Sequence, residues 1–170
     1  NKNPKMRMEE KFLSAYDRCA PAILRHVNFR VSDRRTAEDI VQETFLRAWR
    51  YAATGKEIEN IRAFFYKIAD NLIIDHYRQK PRAFVSLEEI SEEPAEEAKQ
   101  EKRAEKSLLR GLIEKHLSQI DDERRKIVLY RYVDGLSAKE ISALTGKAPG
   151  HVNVILHREI KTLKEKFRHV

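Results

Sequence analysis

The sequence has 170 residues, enough for one ordinary domain or for two small domains joined by a linker. Hydrophobic residues make up 41% and charged residues 36%, and only 5 glycines and 5 prolines occur. This composition favours small helical units with modest cores over an extended sheet. The formal net charge of +7 favours a polyanionic partner such as a nucleic acid.

Several sequence features predict a cytoplasmic protein. Cys19 is the single cysteine, so an internal disulfide is excluded and we expect it to lie in a core within a reducing compartment. No apolar stretch approaches the roughly 20 residues that a membrane span needs, and no apolar segment of a signal peptide is present. We therefore expect no membrane insertion. Residues 1–8 are set aside from the fold prediction because the first residue is not Met.

The charges are distributed unevenly along the chain. Residues 1–80 carry 16 basic and 11 acidic side chains, residues 81–107 carry 5 and 8, and residues 108–170 carry 13 and 8. The acidic middle segment is too poor in apolar residues to pack a core. We therefore predict an all-α protein of two small helical domains, 9–80 and 108–170, joined by a flexible acidic linker at 81–107. From Ala95 the composition favours a helix that runs toward Leu117.

The first predicted domain contains three helices. Apolar residues at helical spacing from Phe12 to Val27, Leu13 and Tyr16 among them, predict the first helix. After a polar break, a second helix begins at Thr36 and ends near residues 54–56. The third follows Asn60, a predicted N-cap, and runs from Ile61 to about Gln79. We expect Phe64 and Phe65 to lie in the core of this three-helix unit.

The second predicted domain ends in a helix-turn-helix. A helix through Leu117 precedes it, followed by a second helix for which Asp121 and Asp122 are expected to form the N-terminal cap. Ser137 and Glu140 have the spacing of a capping box, and Gly146 stands where a tight turn requires a positive φ. A further helix then begins near Pro149, and we expect it to bury Val152, Ile155, Leu156 and Ile160.

The outer face of that last helix decides between two interpretations. An αα-hairpin that only packs has the same geometry, but a basic exposed face favours DNA binding in the major groove. The side chains expected on this face are His151, Asn153, Val154, His157, Arg158 and Lys161. His151 and His157 are six residues apart and so lie on different faces of a helix, which argues against a metal site. We predict no metal and no cofactor.

Three segments together carry a family resemblance. They are Asp39–Trp49 (DIVQETFLRAW), Ile68–Arg78 (IADNLIIDHYR) and the helix-turn-helix. In this order they resemble the two conserved domains of extracytoplasmic-function sigma factors, bacterial transcription initiation factors of the sigma-70 family. The resemblance covers nearly the whole chain, and the linker agrees with it because this family lacks the middle domain of housekeeping sigma factors.

The resemblance implies partners and residue roles. The partners are core RNA polymerase (its β′ clamp and β flap), double-stranded and melted promoter DNA, and an anti-sigma factor. The residues assigned to the polymerase are Asp39, Gln42, Glu43 and Leu46. Those assigned to the minus-ten element, with a flipped base held by the loop from Thr54 to Asn60, are Thr54, Gly55, Lys56, Asn60, Asn71 and Arg78. Those assigned to the minus-thirty-five element are Ser137, His151, Asn153, Val154, His157, Arg158 and Lys161.

Two aromatic side chains and three departures from the family pattern add expectations. Tyr66 and Tyr77 are expected to reach the DNA side of the third helix. A Ser or Thr is common where Ala148 stands, so side-chain capping of the last helix is not expected. A basic residue is common where Asn153 stands, and Ala often stands in place of Glu159. The promoter element recognised can therefore differ from the family's common one.

Two other function classes are less favoured. A response-regulator type of DNA-binding protein needs a receiver domain of alternating strands and helices, and residues 1–80 show no such pattern. A small metal-dependent nuclease needs convergent acidic residues, whereas Asp121, Asp122 and Glu123 are adjacent. We therefore expect no enzymatic activity and name no catalytic residues.

Overall fold

The computed structural model describes residues 4–79 and 100–168, and these residues form seven α-helices and no strand. The chain divides into two compact units, residues 1–85 and 86–170. Unit 1 holds α1 (Pro4–Asn28), α2 (Arg34–Ala53) and α3 (Ile61–Gln79). Unit 2 holds α4 (Gln100–Gln119), α5 (Asp122–Tyr132), α6 (Ala138–Thr145) and α7 (Pro149–Phe167). The all-α prediction is confirmed.

An aromatic cluster lies at the centre of unit 1. Phe65 of α3 is fully buried. Its ring packs edge-on against Phe12 of α1 at 5.6 Å and against Phe45 of α2 at 4.9 Å between centroids. Each such pair contributes about 0.5–1.5 kcal/mol beyond the burial of its area. The cluster joins all three helices, and the predicted core position of Cys19 is confirmed because Cys19 is buried.

The predicted start of the second helix is wrong. The second helix begins at Arg34, not Thr36, because Asp33 is the N-cap and its carboxylate accepts a hydrogen bond from the Thr36 N–H at 2.9 Å. Thr36 is therefore the residue whose N–H is capped by Asp33, and not the first residue of the helix. The first helix begins at Pro4, within the segment that was set aside from the prediction.

The expectation that Tyr66 reaches the DNA side is also wrong. Tyr66 is fully buried, and its ring packs edge-on against that of His26 at 4.8 Å. His26 is buried as well, and its Nε2 lies 2.8 Å from Oδ1 of Asp70 on α3. The physical reason is the spacing of Tyr66, Ala69 and Ile73, which puts all three on one buried face. Tyr77 is half-buried and donates a hydrogen bond to the backbone carbonyl of Arg30.

In unit 2, side chains fix the turn between α4 and α5. Asp121 is the N-cap of α5, as predicted, and accepts from the Arg124 N–H at 2.9 Å. That backbone bond and the Arg124 side chain hold the pKa of Asp121 below its usual value. Arg125 donates to the backbone carbonyls of Leu117 at 2.6 Å and Ile120 at 2.9 Å. These bonds satisfy carbonyls at the end of α4.

Two further predictions concern the start of α4 and the limits of the two domains. Helix α4 is described from Gln100, inside the predicted linker at 81–107. The predicted helix start at Ala95 lies outside the described residues, and the domain limits stay a prediction. Among the described residues, no helix has the length and apolarity that crossing a bilayer requires.

Candidate nucleic-acid interface

Helix α6 and the turn after it are built by local hydrogen bonds, as predicted. The Ser137 hydroxyl accepts from the Glu140 N–H at 3.2 Å, and the Glu140 carboxylate accepts from the Ser137 N–H at 2.8 Å. This reciprocal pair is the capping box. Gly146 ends α6 with φ at 72° and donates its N–H to the Ser142 carbonyl at 2.9 Å. A left-handed residue here turns the chain tightly into α7.

Helix α7 divides into a buried and an exposed face. Val152, Ile155 and Leu156 are buried, and Ile160 is half-buried. The six predicted side chains, His151, Asn153, Val154, His157, Arg158 and Lys161, are all exposed, as are Thr162, Lys164, Glu165 and Lys166 in the second half of the helix. Pro149 occupies the first turn and Ala148 provides no side-chain cap, in agreement with the sequence analysis. Three anchoring side chains thus present a continuous outer face of polar and basic groups.

The outer face of α7 has the chemistry that base and phosphate contacts require. Arg158 and Lys161 supply cations for phosphates, and the Asn153 amide offers a donor and an acceptor to a base edge. Lys164 and Lys166 extend the positive charge into the last turn. The acidic Glu159 points inward and is only 6% exposed, so it does not interrupt the outer face.

Two residues outside α7 have side chains that are engaged in contacts within unit 2. The Ser137 hydroxyl donates its proton to the Glu140 carboxylate at 2.9 Å, so its donor capacity is used in the cap. Lys147 pairs with Glu123 of α5 at 3.0 Å, which ties the turn to α5. The assignment of Ser137 to DNA stays a prediction.

The predicted polymerase-binding residues lie together on one face of α2. Asp39, Gln42 and Leu46 are exposed, and Glu43 pairs with Arg47 at 2.6 Å. Leu46 is 43% exposed although it is apolar. Polar and apolar groups on one exposed face are typical of a surface that another protein covers.

Sequence analysis missed the apolar part of this surface. Sequence analysis named Leu13 and Tyr16 of α1 only as part of the apolar periodicity of the first helix, and they are 58% and 40% exposed. Tyr16 packs edge-on against Phe45 of α2 at 4.6 Å, and Trp49 of α2 packs against Phe12 at 5.1 Å. The apolar residues of α1 cover a wider arc of the helix than one buried face needs. The width of this arc was the sign in the sequence that some of these residues are exposed.

Residues predicted to hold the minus-ten element surround the loop between α2 and α3. The Thr54 hydroxyl donates to the Tyr51 carbonyl at 2.7 Å, and Gly55 has φ at 76°. Asn60 is the predicted N-cap, and its side-chain oxygen accepts from the Ala63 N–H at 2.9 Å. The Lys56 ammonium lies 5.7 Å from the ring centroid of Tyr51. These contacts give the loop a defined path.

Beyond the loop, α3 carries two further predicted contacts. Asn71 and Arg78 are both exposed. The Arg78 guanidinium lies 3.6 Å from the Asp75 carboxylate, and both side chains remain largely open to solvent. Such an exposed pair is weak, so Arg78 can exchange it for a phosphate.

An open cleft of about 680 Å³ lies beside the same loop. The first half of α1 forms one wall, and residues 57–59 and Ile61 form the other. Its lining residues are Met8, Glu10, Lys11, Ser14, Arg18, Glu57, Ile58, Glu59 and Ile61. The cleft therefore adjoins the loop segment that was predicted to receive a flipped base.

Comparisons with known proteins identify the family. The family Sigma-70 region 2 matches residues 15–83, and Sigma-70, region 4 matches residues 110–163. The ECF RNA polymerase sigma factor SigL of Mycobacterium tuberculosis is 33% identical over 151 residues, which are 88% of this chain and 84% of SigL. The chain belongs to the extracytoplasmic-function sigma factors. It is thus a factor for promoter-specific transcription initiation by RNA polymerase.

Other relatives of this sigma factor agree in sequence and fold. The ECF RNA polymerase sigma factor BldN of Streptomyces coelicolor is 28% identical over 156 residues, 91% of this chain but 59% of BldN. RpoE of Bartonella quintana, solved with the anti-sigma factor NepR, has a TM-score of 0.61 at 20% identity and covers 94% of this chain. That match covers 98% of the RpoE chain. CnrH, solved with the cytosolic domain of CnrY, has a TM-score of 0.63 at 19% identity, with 95% and 90% covered.

Proposed function

We propose that this sigma factor binds core RNA polymerase through α2 and reads the minus-thirty-five element with α7. The observation that carries the proposal is the division of α7 into a face with the buried anchors Val152, Ile155 and Leu156 and an exposed face that includes Asn153, Arg158 and Lys161. The protein acts in the cytoplasm, where promoter DNA and polymerase are found, and contributes binding rather than catalysis.

The polymerase surface consists of the exposed face of α2. Asp39 and Glu43 supply carboxylates, Gln42 an amide and Leu46 an apolar contact. Charge-assisted hydrogen bonds of this kind contribute about 1–3 kcal/mol each when a partner covers them. This face binds the β′ clamp, and unit 2 binds the β flap. The apolar neighbours Leu13 and Trp49 enlarge the surface.

The minus-thirty-five surface is α7. A helix fits the major groove, and its side chains near the N-terminus meet base edges. Asn153 is placed to read an adenine, because the amide matches the N6 and N7 groups of that base. His151, Val154 and His157 are also exposed on α7. Arg158 and Lys161 hold the phosphate backbone on either side.

The minus-ten surface is the loop between α2 and α3 together with the exposed side of α3. Promoter melting requires a base turned out of the stack and a basic surface that tracks the single strand. The cleft beside residues 57–59 supports a pocket of this kind. Lys56 in the loop and Asn71 and Arg78 further along α3 are exposed, and we assign the polar and cationic contacts to them.

An anti-sigma factor is the remaining partner that we propose. The solved RpoE and CnrH structures contain NepR and the cytosolic domain of CnrY, respectively. The exposed apolar residues of unit 1, including Leu13, Tyr16 and Trp49, support a protein partner on α1 and α2. Such a partner would compete with core polymerase for the α2 face.

Transcription with purified core polymerase tests the minus-thirty-five role. A promoter is first selected from a genomic fragment library, and Arg158→Ala is then compared with Lys126→Ala, an exposed control on α5 that removes the same charge. We expect Arg158→Ala to weaken open-complex formation at least about fivefold. The slope of log affinity against log salt concentration should fall by about the amount that one phosphate contact contributes. Equal activity of both variants and the wild type would remove α7 from this role.

A further inference from the structure

Glu159 is a charged residue on the inner face of the proposed recognition helix. It is 6% exposed and shares that face with Val152, Ile155 and Leu156. Glutamate is almost never buried unless it is paired, because removing the charge from water is costly. The adjacent residue in the chain, Arg158, points outward. A buried anchor and a proposed DNA contact are therefore consecutive residues of one rigid helix.

The Glu159 carboxylate is held by two other helices. Its Oε2 lies 3.0 Å from Nε2 of His116 on α4, and its Oε1 accepts from the Arg124 guanidinium of α5 at 3.3 Å. His116 is itself 3% exposed, whereas the Arg124 side chain is 51% exposed. Each carboxylate oxygen thus has its own donor, and the donors come from different directions.

The second nitrogen of His116 fixes the protonation pattern of the ring. Its Nδ1 lies 3.3 Å from the ammonium of Lys166, which also donates to the Gln119 side chain at 2.9 Å. Lysine can only donate, so Nδ1 accepts and Nε2 carries the proton that is donated to Glu159. Lys166, His116 and Glu159 then form a chain of directional bonds that contacts α7 at two points.

These hydrogen bonds contribute more to the orientation of α7 than to the stability of unit 2. A buried ion pair often gives no more stability than apolar residues of similar volume, because desolvation offsets the attraction. Apolar contacts are non-directional, so the anchors Val152 and Ile155 alone tolerate small rotations of α7. Hydrogen bonds weaken steeply when their angles change. Contacts at Glu159 and Lys166, which lie two turns apart, therefore restrict both rotation and sliding of α7.

We propose that Glu159 is a positioning residue that, held by His116 and Arg124, sets the orientation in which α7 presents Asn153 and Arg158 to the minus-thirty-five element. The inference rests on the proposed DNA-reading role of α7. A binding group must be held within about 0.5 Å and 10–20° of its productive geometry, so loss of the orientation weakens base discrimination first. Phosphate contacts are more tolerant because long side chains adjust.

The test replaces the buried carboxylate, and the imidazole that donates to it, by apolar residues in the full chain. The variant is His116→Leu with Glu159→Met, and Arg124 is left unchanged because its other partner is Asp121. Ile127→Val, a core substitution in α5, is the control for altered packing of unit 2. Each protein is assayed for thermal unfolding, for affinity to core polymerase, and for base preference in transcription from a library randomised at the minus-thirty-five element.

We expect the double variant to unfold at the same or a higher temperature and to bind core polymerase as the wild type does. Its discrimination between the best element and single-base changes should fall at least about fivefold, while Ile127→Val keeps the wild-type preference. Unchanged discrimination in the folded double variant would overturn the proposal. If the double variant does not fold, Glu159→Gln decides in the same way, since the amide retains the shape but presents its NH2 group to one of the two donors and so loses one of the hydrogen bonds. A wild type without any preference at this element would instead contradict the proposed function of α7.

Discussion

Replacing Ser137 with alanine should loosen the helix-turn-helix by a calculable amount. The change removes the acceptor of the Glu140 N–H at 3.2 Å and the hydroxyl donor to the Glu140 carboxylate at 2.9 Å. It leaves the backbone bond from the Ser137 N–H to that carboxylate, at 2.8 Å. All three bonds are exposed, so water replaces part of what is lost.

We therefore expect a cost of about 1 kcal/mol, in the middle of the range for the loss of an N-cap. At 25 °C this corresponds to roughly a fivefold increase in the population of the opened unit. Hydrogen exchange, followed by mass spectrometry, measures the change separately for each unit, since peptides from α6 and α7 report on unit 2 and those from α1 to α3 on unit 1.

A matched control is available within unit 2. The exposed Ser118 hydroxyl of α4 donates to the Lys115 carbonyl at 2.8 Å but caps no helix start, so Ser118→Ala should leave exchange of α6 unchanged. Exchange of α6 in Ser137→Ala within twofold of the wild type would refute the capping argument. Acceleration that is equal in both units would refute the assignment of the effect to α6.

Three further predictions concern separate surfaces. Gln42→Ala with Glu43→Lys should weaken core polymerase binding in a titration while the helical circular dichroism stays intact, and unchanged affinity would remove Asp39, Gln42 and Glu43 from the interface. Asn153→Arg should shift base preference at the minus-thirty-five element from adenine toward guanine by roughly 1–3 kcal/mol in a promoter-library selection, whereas identical preferences would mean that Asn153 reads no base. Because the pKa of Asp121 is lowered in the folded protein, its carboxylate stabilises unit 2 above the ordinary pKa of 3.8, and this stabilisation is lost as the pH falls through the lowered pKa. Asp121→Asn still caps α5, so the free energy of unfolding of unit 2 should depend less on pH in the acid range in this variant. An unaltered pH dependence in urea titrations between about pH 2 and 5 would contradict this assignment.

Local signals in the sequence predicted most of unit 2. The capping box at Ser137, the turn glycine at 146 and the start of α7 at Pro149 all follow from interactions within a few residues. Such interactions depend on chain geometry alone, so they can be derived without the tertiary fold. The exposed face of α7 follows from the same periodicity.

The features that sequence analysis missed depend on contacts across the fold. Tyr66 shares the helical spacing of Ala69 and Ile73, but its side chain is amphipathic and suits a surface position too, so its packing against His26 was needed to identify it as a core residue. Glu159 was recognised as a departure from the family pattern, but its partner His116 lies 43 residues away. Periodicity included Leu13 in the apolar pattern of the first helix but did not show that it is exposed, because a pattern does not show how much apolar surface the neighbouring helices cover. Contacts between residues so far apart in the sequence can be identified only from the three-dimensional structure.

Permanganate footprinting on a selected promoter tests the central claim most directly. The isolated protein should bind the duplex weakly and leave thymines unreactive, whereas the protein with core RNA polymerase should make thymines near the start site reactive. Core polymerase alone should not open the same promoter. Opening of the DNA by the isolated protein, or by core polymerase without it, would contradict a role as the specificity factor of transcription initiation.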